Sequence, residues 1–201
     1  TLAFAWTQGF KSIAAAEAGN ADEAIALWDE FAAYWFGQFD GDNAGKSSAA
    51  GVQSSRDSDF SSNYLGKATD AMKAGLMAAQ ATPIDAAGMT AAMGDFNKAI
   101  VSTFAQATLK YSWQGEVAKL DDGSTDTVTE DKKWAEGYTY FRCASGLFDP
   151  TLAAFIEAEF NPLNAETIRD GLFCEIDAKM RETADIGAGV VNADHGLFTD
   201  T

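Results

Sequence analysis

MTAAMGDFNKAIVSTFAQATLKY, residues 89–111, sets the period of the chain. Its apolar positions Met89, Met93, Phe96, Ile100, Phe104, Ala107 and Tyr111 recur at steps of three and four. That spacing lines them along one face of a helix and does not fit the two-residue alternation of a strand. The stretch predicts the longest helix of the chain. It is opened by Thr82-Pro83, because threonine can cap a helix and proline tolerates the first helical position. The helix is expected to run to about Lys119, with Gly88 and Gly94 as points where it can bend.

The same period extends in both directions. A first helix is read over residues 2–18, ending at Gly19. Asn20 then caps a second, with Glu23 three positions on as a capping box and with Ala24, Trp28, Phe31 and Trp35 as its buried stripe up to Gly37. A third covers roughly 63–81, with Tyr64, Ala68, Met72, Gly75 and Ala79 inward. Beyond the long helix, others are predicted over about 131–146, from Asp149-Pro150 with Asp149 as cap, and from Asn164 to near Gly187. Two segments lack periodicity and read as long polar loops: Phe39 to about Ser62, rich in Gly, Ser and Asp, and LDDGSTDTVTED at 120–131. The expected fold is an all-α, single-domain bundle of about seven helices, with a core over 2–187 and an irregular tail over 188–201.

Thirty acidic residues against fourteen Lys and Arg give a net charge of -16. A field of that sign repels phosphate backbones and concentrates cations, so nucleic acid is not an expected partner. It also suits plain solubility or a salty medium. No apolar run approaches the roughly 18 residues needed to span a bilayer, so no integral membrane segment is expected. The sequence opens at Thr1 without an initiator Met, consistent with a cleaved targeting segment or a trimmed chain. Cys143 and Cys174 are the two cysteines, on separate predicted helices and without a Cys-x-x-Cys pair. One structural disulfide is the favoured reading, placing the protein in the periplasm or outside the cell and stabilising it by roughly 3–4 kcal/mol. Two buried free thiols are the other.

Catalytic signatures are missing. A single histidine, His195, cannot supply the paired Glu-x-x-His motifs of di-iron bundles or a His-Glu-x-x-His zinc site. His195 itself, in NADHGLF near the end of the chain, reads as a solvated or capping residue. No Gly-x-Ser-x-Gly elbow, phosphate-binding glycine loop or dinucleotide fingerprint occurs. Met72, Met77, Met89 and Met93, like the five tryptophans, read first as core. No enzymatic activity is therefore expected.

One constellation is sharper. On the helix of Cys143, Trp134, Tyr138, Phe141, Ser145 and Phe148 form the apolar stripe, while Glu136, Tyr140 and Cys143 share the opposite face. On the last helix Ile168, Leu172, Ile176 and Met180 oppose Asp170, Cys174, Asp177 and Arg181. A Cys143–Cys174 bond would bring the two polar faces within about 7 Å between Cα atoms, so that Glu136, Tyr140, Asp170 and Asp177 converge. Carboxylates with a phenol suit a hard cation such as ferric iron or calcium. The competing reading is a pair of ordinary salt bridges, Arg181 with Asp177 and Lys133 with Glu136. A second cation candidate is the acidic stretch Asp121, Asp122, Asp126, Glu130 and Asp131, which lacks the spacing and glycine of a calcium loop.

The segments IALWDEFAAYWFG (25–37), KATDAMKAGLMAA (67–79), IVSTFAQATLKYSW (100–113), KKWAEGYTYFRC (132–143) and ETADIG (182–187) carry a resemblance spanning residues 21–187. They resemble the low-iron-induced, high-CO2-induced periplasmic proteins of green algae, the Fea-type iron-assimilation family. The resemblance implies a secreted or periplasmic protein that aids uptake of ferrous or ferric iron, alongside a surface ferroxidase or reductase. It supplies no ligand set. The Glu-x-x-Glu pairs associated with iron binding are absent, Glu182-x-x-Asp185 being the nearest. The leading expectation is an iron-binding, iron-assimilation protein at the cell exterior, and the alternative is a metal-free extracellular binding or structural module.

Overall fold

A computed structural model describes residues 2–37, 49–118, 124–164 and 170–183, with 185, 187 and 188. Among these residues the chain is all-α, with eight α-helices and one short 3-10 turn. The helices are α1 (Leu2–Glu17), α2 (Ala21–Phe36), α3 (Ala49–Phe60), α4 (Tyr64–Ala79), α5 (Ala86–Glu116), α6 (Thr127–Ala144), α7 (Pro150–Phe160) and α8 (Leu172–Glu182). Their contacts group into two compact units, Thr1–Ile100 and Val101–Thr201, with the boundary inside α5.

In the first unit α1 packs along α2, and α4 packs on both α2 and α3. Phe4 meets Tyr34 while the Ser12 hydroxyl donates to the Ala24 carbonyl at 2.6 Å, so α1 and α2 run antiparallel. Asn20 caps α2 as expected: its side chain accepts from the Glu23 N–H and its Nδ2 donates to the Glu23 carboxylate at 2.7 Å. Ala24, Trp28, Phe31 and Trp35 are the buried stripe. Trp28 buries its indole yet keeps its hydrogen bond, donating Nε1–H to the Met72 carbonyl at 2.8 Å. Gly75 makes that approach possible, because a Cβ there would overlap the Trp28 ring. Phe96 closes the core edge-on to Phe31 and Trp35, with ring centroids 4.8 and 5.0 Å away.

α3 corrects the first long loop. Its buried residues are Ala50, Gln53 and Arg56, one helical face made mostly of polar side chains. Gln53 is fully buried, accepting from Trp35 Nε1 at 3.2 Å and donating to the Tyr64 carbonyl at 3.4 Å. Arg56 forms an ion pair with Asp59 at 2.9 Å. Periodicity counted on apolar residues cannot see a stripe in which Gln53 and Arg56 are the buried side chains. Residues 39–48 of the expected loop lie outside the described residues.

The start of α5 is also displaced. Pro83 sits in the turn before it, and Asp85 does the capping, accepting from the Gly88 N–H at 2.8 Å. In the second unit, Asp126 caps α6, which starts at Thr127, four residues ahead of the expected start at 131. Asp149 caps α7 as read, accepting from Thr151 and Leu152 N–H at 2.9 Å each. Trp134, Phe141, Phe148, Leu152, Ile156, Phe160, Leu172, Ile176 and Met180 are buried in this unit. Trp134 repeats the tryptophan device, donating Nε1–H to the Phe160 carbonyl at 2.7 Å. That carbonyl ends α7 and has no partner of its own within the helix.

α8 begins at Leu172 rather than Asn164 and ends at Glu182, short of Gly187, which instead bridges to Phe148. Its start follows Gly171, whose φ of 81° is a left-handed conformation that glycine adopts without strain. The Glu116 carboxylate at the end of α5 accepts from the Gly171 and Phe173 N–H groups at 2.8 and 2.9 Å, closing the positive end of α8 from a distance in sequence. No helix among the described residues is long and apolar enough to cross a membrane. Two side chains read as core are exposed, Met77 and Trp113.

Candidate metal centre

Convergence of the carboxylates on α6 and α8 requires the Cys143–Cys174 disulfide, and the disulfide is not formed. Cys143 and Cys174 are both free thiols on the surface, neither bonded nor buried as whole residues. The Cys143 thiol itself is partly covered, and this desolvation pushes its pKa above the usual thiol value. Without the bond nothing forces the polar faces of α6 and α8 together.

Each expected ligand has a different engagement. Glu136 pairs with Lys133 at 3.0 Å, one turn back on α6. Asp177 pairs with Arg181 at 2.8 Å, one turn on along α8. These are the ordinary salt bridges of the competing reading. Tyr140 stacks on Tyr111, ring centroids 5.2 Å apart and planes 18° from parallel, and lies 6.2 Å from Phe104. Lys133 reaches over the other ring of this pair, its Nζ 5.0 Å from the Tyr111 centroid. Asp170 is exposed in the turn before α8. Among the described residues no three His, Cys, Asp or Glu side chains gather as a metal ion would require, so Glu136, Asp170 and Asp177 do not form one site.

In the acidic stretch, Asp121 and Asp122 lie outside the described residues. Asp126 uses both carboxylate oxygens on its own helix, accepting from the Thr129 N–H at 3.1 Å and the Thr129 hydroxyl at 2.6 Å. Those bonds hold its pKa below the usual carboxylate value, the hydroxyl contributing most. Glu130 is buried on α6 and Asp131 exposed. His195 lies outside the described residues.

A polar cluster that sequence reading missed joins α6 to α7. The Tyr138 hydroxyl donates to Glu157 Oε1 at 2.7 Å, Arg142 donates to Oε2 at 3.0 Å, and Asn161 donates to Oε1 at 3.0 Å. The hydrogen bond from Tyr138 is the main cause of a lowered Glu157 pKa. Tyr138 is raised in turn, by burial first and by Glu157 second. Both carboxylate oxygens accept hydrogen bonds, and the cluster is a clasp between α6 and α7. Its members are separated by 15 and 19 positions along the chain, which no local spacing rule connects. Neither a protein-family model, nor a curated protein, nor a solved structure matches the chain.

Proposed function

We propose that this chain is a non-enzymatic, extracellular or periplasmic protein that binds iron, ferrous or ferric, for assimilation. The observation that carries the reading is the charge: thirty acids against fourteen bases concentrate multivalent cations, and hard iron ions take carboxylate oxygen as a ligand. The segmental resemblance to the Fea-type proteins supplies the cargo, and a surface ferroxidase or reductase is the partner it implies. Because Glu136 and Asp177 are each paired with a base one turn away, this reading favours the acidic stretch of residues 121–131 as the binding segment. Metal analysis of protein purified without chelators tests it. Iron should accompany the wild type, should fall in an Asp121→Asn/Asp122→Asn variant, and should be unchanged in Asp170→Asn/Tyr140→Phe. Iron-free wild type from iron-replete medium would count against the function, and loss confined to the second variant would return the site to α6 and α8.

A metal-free binding or structural module is the second reading. It is favoured by the engagement of Glu136 and Asp177 with neighbouring bases. Native assembly that is unchanged by chelators distinguishes it.

A further inference from the structure

The two compact units share residues helix by helix. WDEFAAYW at 28–35 of α2 and WAEGYTYF at 134–141 of α6 carry the tryptophan, the glutamate, the tyrosine and a closing aromatic at one constant offset of 106 positions. DSDF at 57–60, the end of α3, matches EAEF at 157–160, the end of α7, at an offset of 100. Phe4, Ala5 and Ser12 of α1 recur as Phe104, Ala105 and Ser112 in the second half of α5, again at 100. Met72-Lys73 of α4 recurs as Met180-Arg181 of α8 at 108. A buried stripe alone would decide nothing, because any two packed helices share one. Identity and offset decide. The offset is constant within each helix and changes only where the connections differ in length: 117–126 is longer than 18–20, 145–149 is shorter than 37–48, and 161–171 is longer than 61–63.

The packing repeats with the residues. Phe4 of α1 meets Tyr34 of α2 with ring centroids 4.7 Å apart, and Phe104 of α5 meets Tyr140 of α6 at 6.2 Å. Each partner is displaced by the offset of its own helix, so this is one contact made twice. Ser12 and Ser112 are both fully buried, and Trp28 with Trp134 and Met72 with Met180 are core in both units. Asp57 and Glu157 each accept three hydrogen bonds and tie their helix to a neighbour. Asp57 takes the Ser62 hydroxyl and the Tyr64 and Leu65 N–H groups at the start of α4, and Glu157 takes Tyr138, Arg142 and Asn161. The units differ in detail: Trp28 donates to Met72 but Trp134 to Phe160, and Ala24 stands where the second unit buries Glu130.

We infer that the chain is a tandem duplication of one four-helix unit, with α1–α4 as one copy and the second half of α5 with α6–α8 as the other. The inference rests on neither functional reading. It gives Glu136 and Tyr140, two of the expected ligands, the counterparts Glu30 and Tyr34, and so makes that pair a feature of the repeated helical hairpin.

Double electron–electron resonance on the full chain, in a Cys143→Ser/Cys174→Ser background, tests the equivalence. Ala33→Cys, Ser54→Cys and Asp70→Cys, spin-labelled two at a time, report three distances across α2, α3 and α4. Thr139→Cys, Ala154→Cys and Ala178→Cys report the counterparts across α6, α7 and α8. All six positions are exposed, so each variant should keep the circular dichroism of the wild type. Ala74→Cys and Glu182→Cys, also matched and exposed, replace the α4 and α8 labels if either of those perturbs its helix. The three distances in one unit should equal their counterparts in the other within the breadth of the label distributions. A counterpart pair that differs by more than that breadth overturns the duplication and leaves the shared residues a coincidence of helical sequence.

Discussion

At the scale of single residues, the Glu157 clasp ties folding to pH. Its carboxyl is held below the ordinary value by Tyr138, so the folded state binds its proton less readily than the unfolded chain. The stability it contributes is full above the unfolded pKa of about 4.3 and is lost as pH falls through the lower folded value. Glu157→Gln should therefore flatten the acid limb of a urea-denaturation series, and an unchanged limb would mean that the clasp contributes no pH-dependent stability. The free cysteines give a second residue-level expectation. Mass spectrometry of freshly purified, non-reduced protein should find both thiols unlinked, with alkylation of Cys143 held back below alkaline pH by its raised pKa. A Cys143–Cys174 cross-link in that sample would restore the disulfide and the convergence that depends on it.

At the scale of elements, α8 depends on a distant cap. With Gly171 at its start there is no capping side chain in the local sequence, and Glu116 satisfies the Gly171 and Phe173 N–H groups instead. Glu116→Ala should cost about 1–2 kcal/mol and should speed hydrogen exchange at the Phe173 amide ahead of the helix centre. Equal protection in the variant would show that packing of Leu172, Ile176 and Met180 holds the helix start unaided. This also marks where sequence legibility ended. Asn20 and Asp149 were readable because cap and helix are adjacent, and the stripe of α2 was readable because it is apolar. α3 was hidden because Gln53 and Arg56 occupy its inner face, and the true starts of α5 and α6 were hidden because Asp85 and Asp126 compete with other polar residues for the same role.

At the scale of the whole molecule, the all-α class was legible from the repeat at 89–111, since a three-to-four period over so long a stretch admits one regular structure. The candidate site was legible only as a list of oxygen donors. Helical spacing assigns Glu136 and Tyr140 to one face and Asp170 and Asp177 to another, but meeting of those faces depended on a bond between Cys143 and Cys174 that the structure does not contain. The bases one turn away, Lys133 and Arg181, were legible too, and they are what Glu136 and Asp177 engage. The net charge and the acidic stretch at 121–131 are the features that favour a cation.

Equilibrium dialysis with ferrous and with ferric iron, against an acidic control protein of matched charge, tests the iron reading most directly. The prediction is that the wild type retains iron above the control and that Asp121→Asn/Asp122→Asn lowers the retention toward it. Retention equal to the control for both oxidation states would contradict the reading.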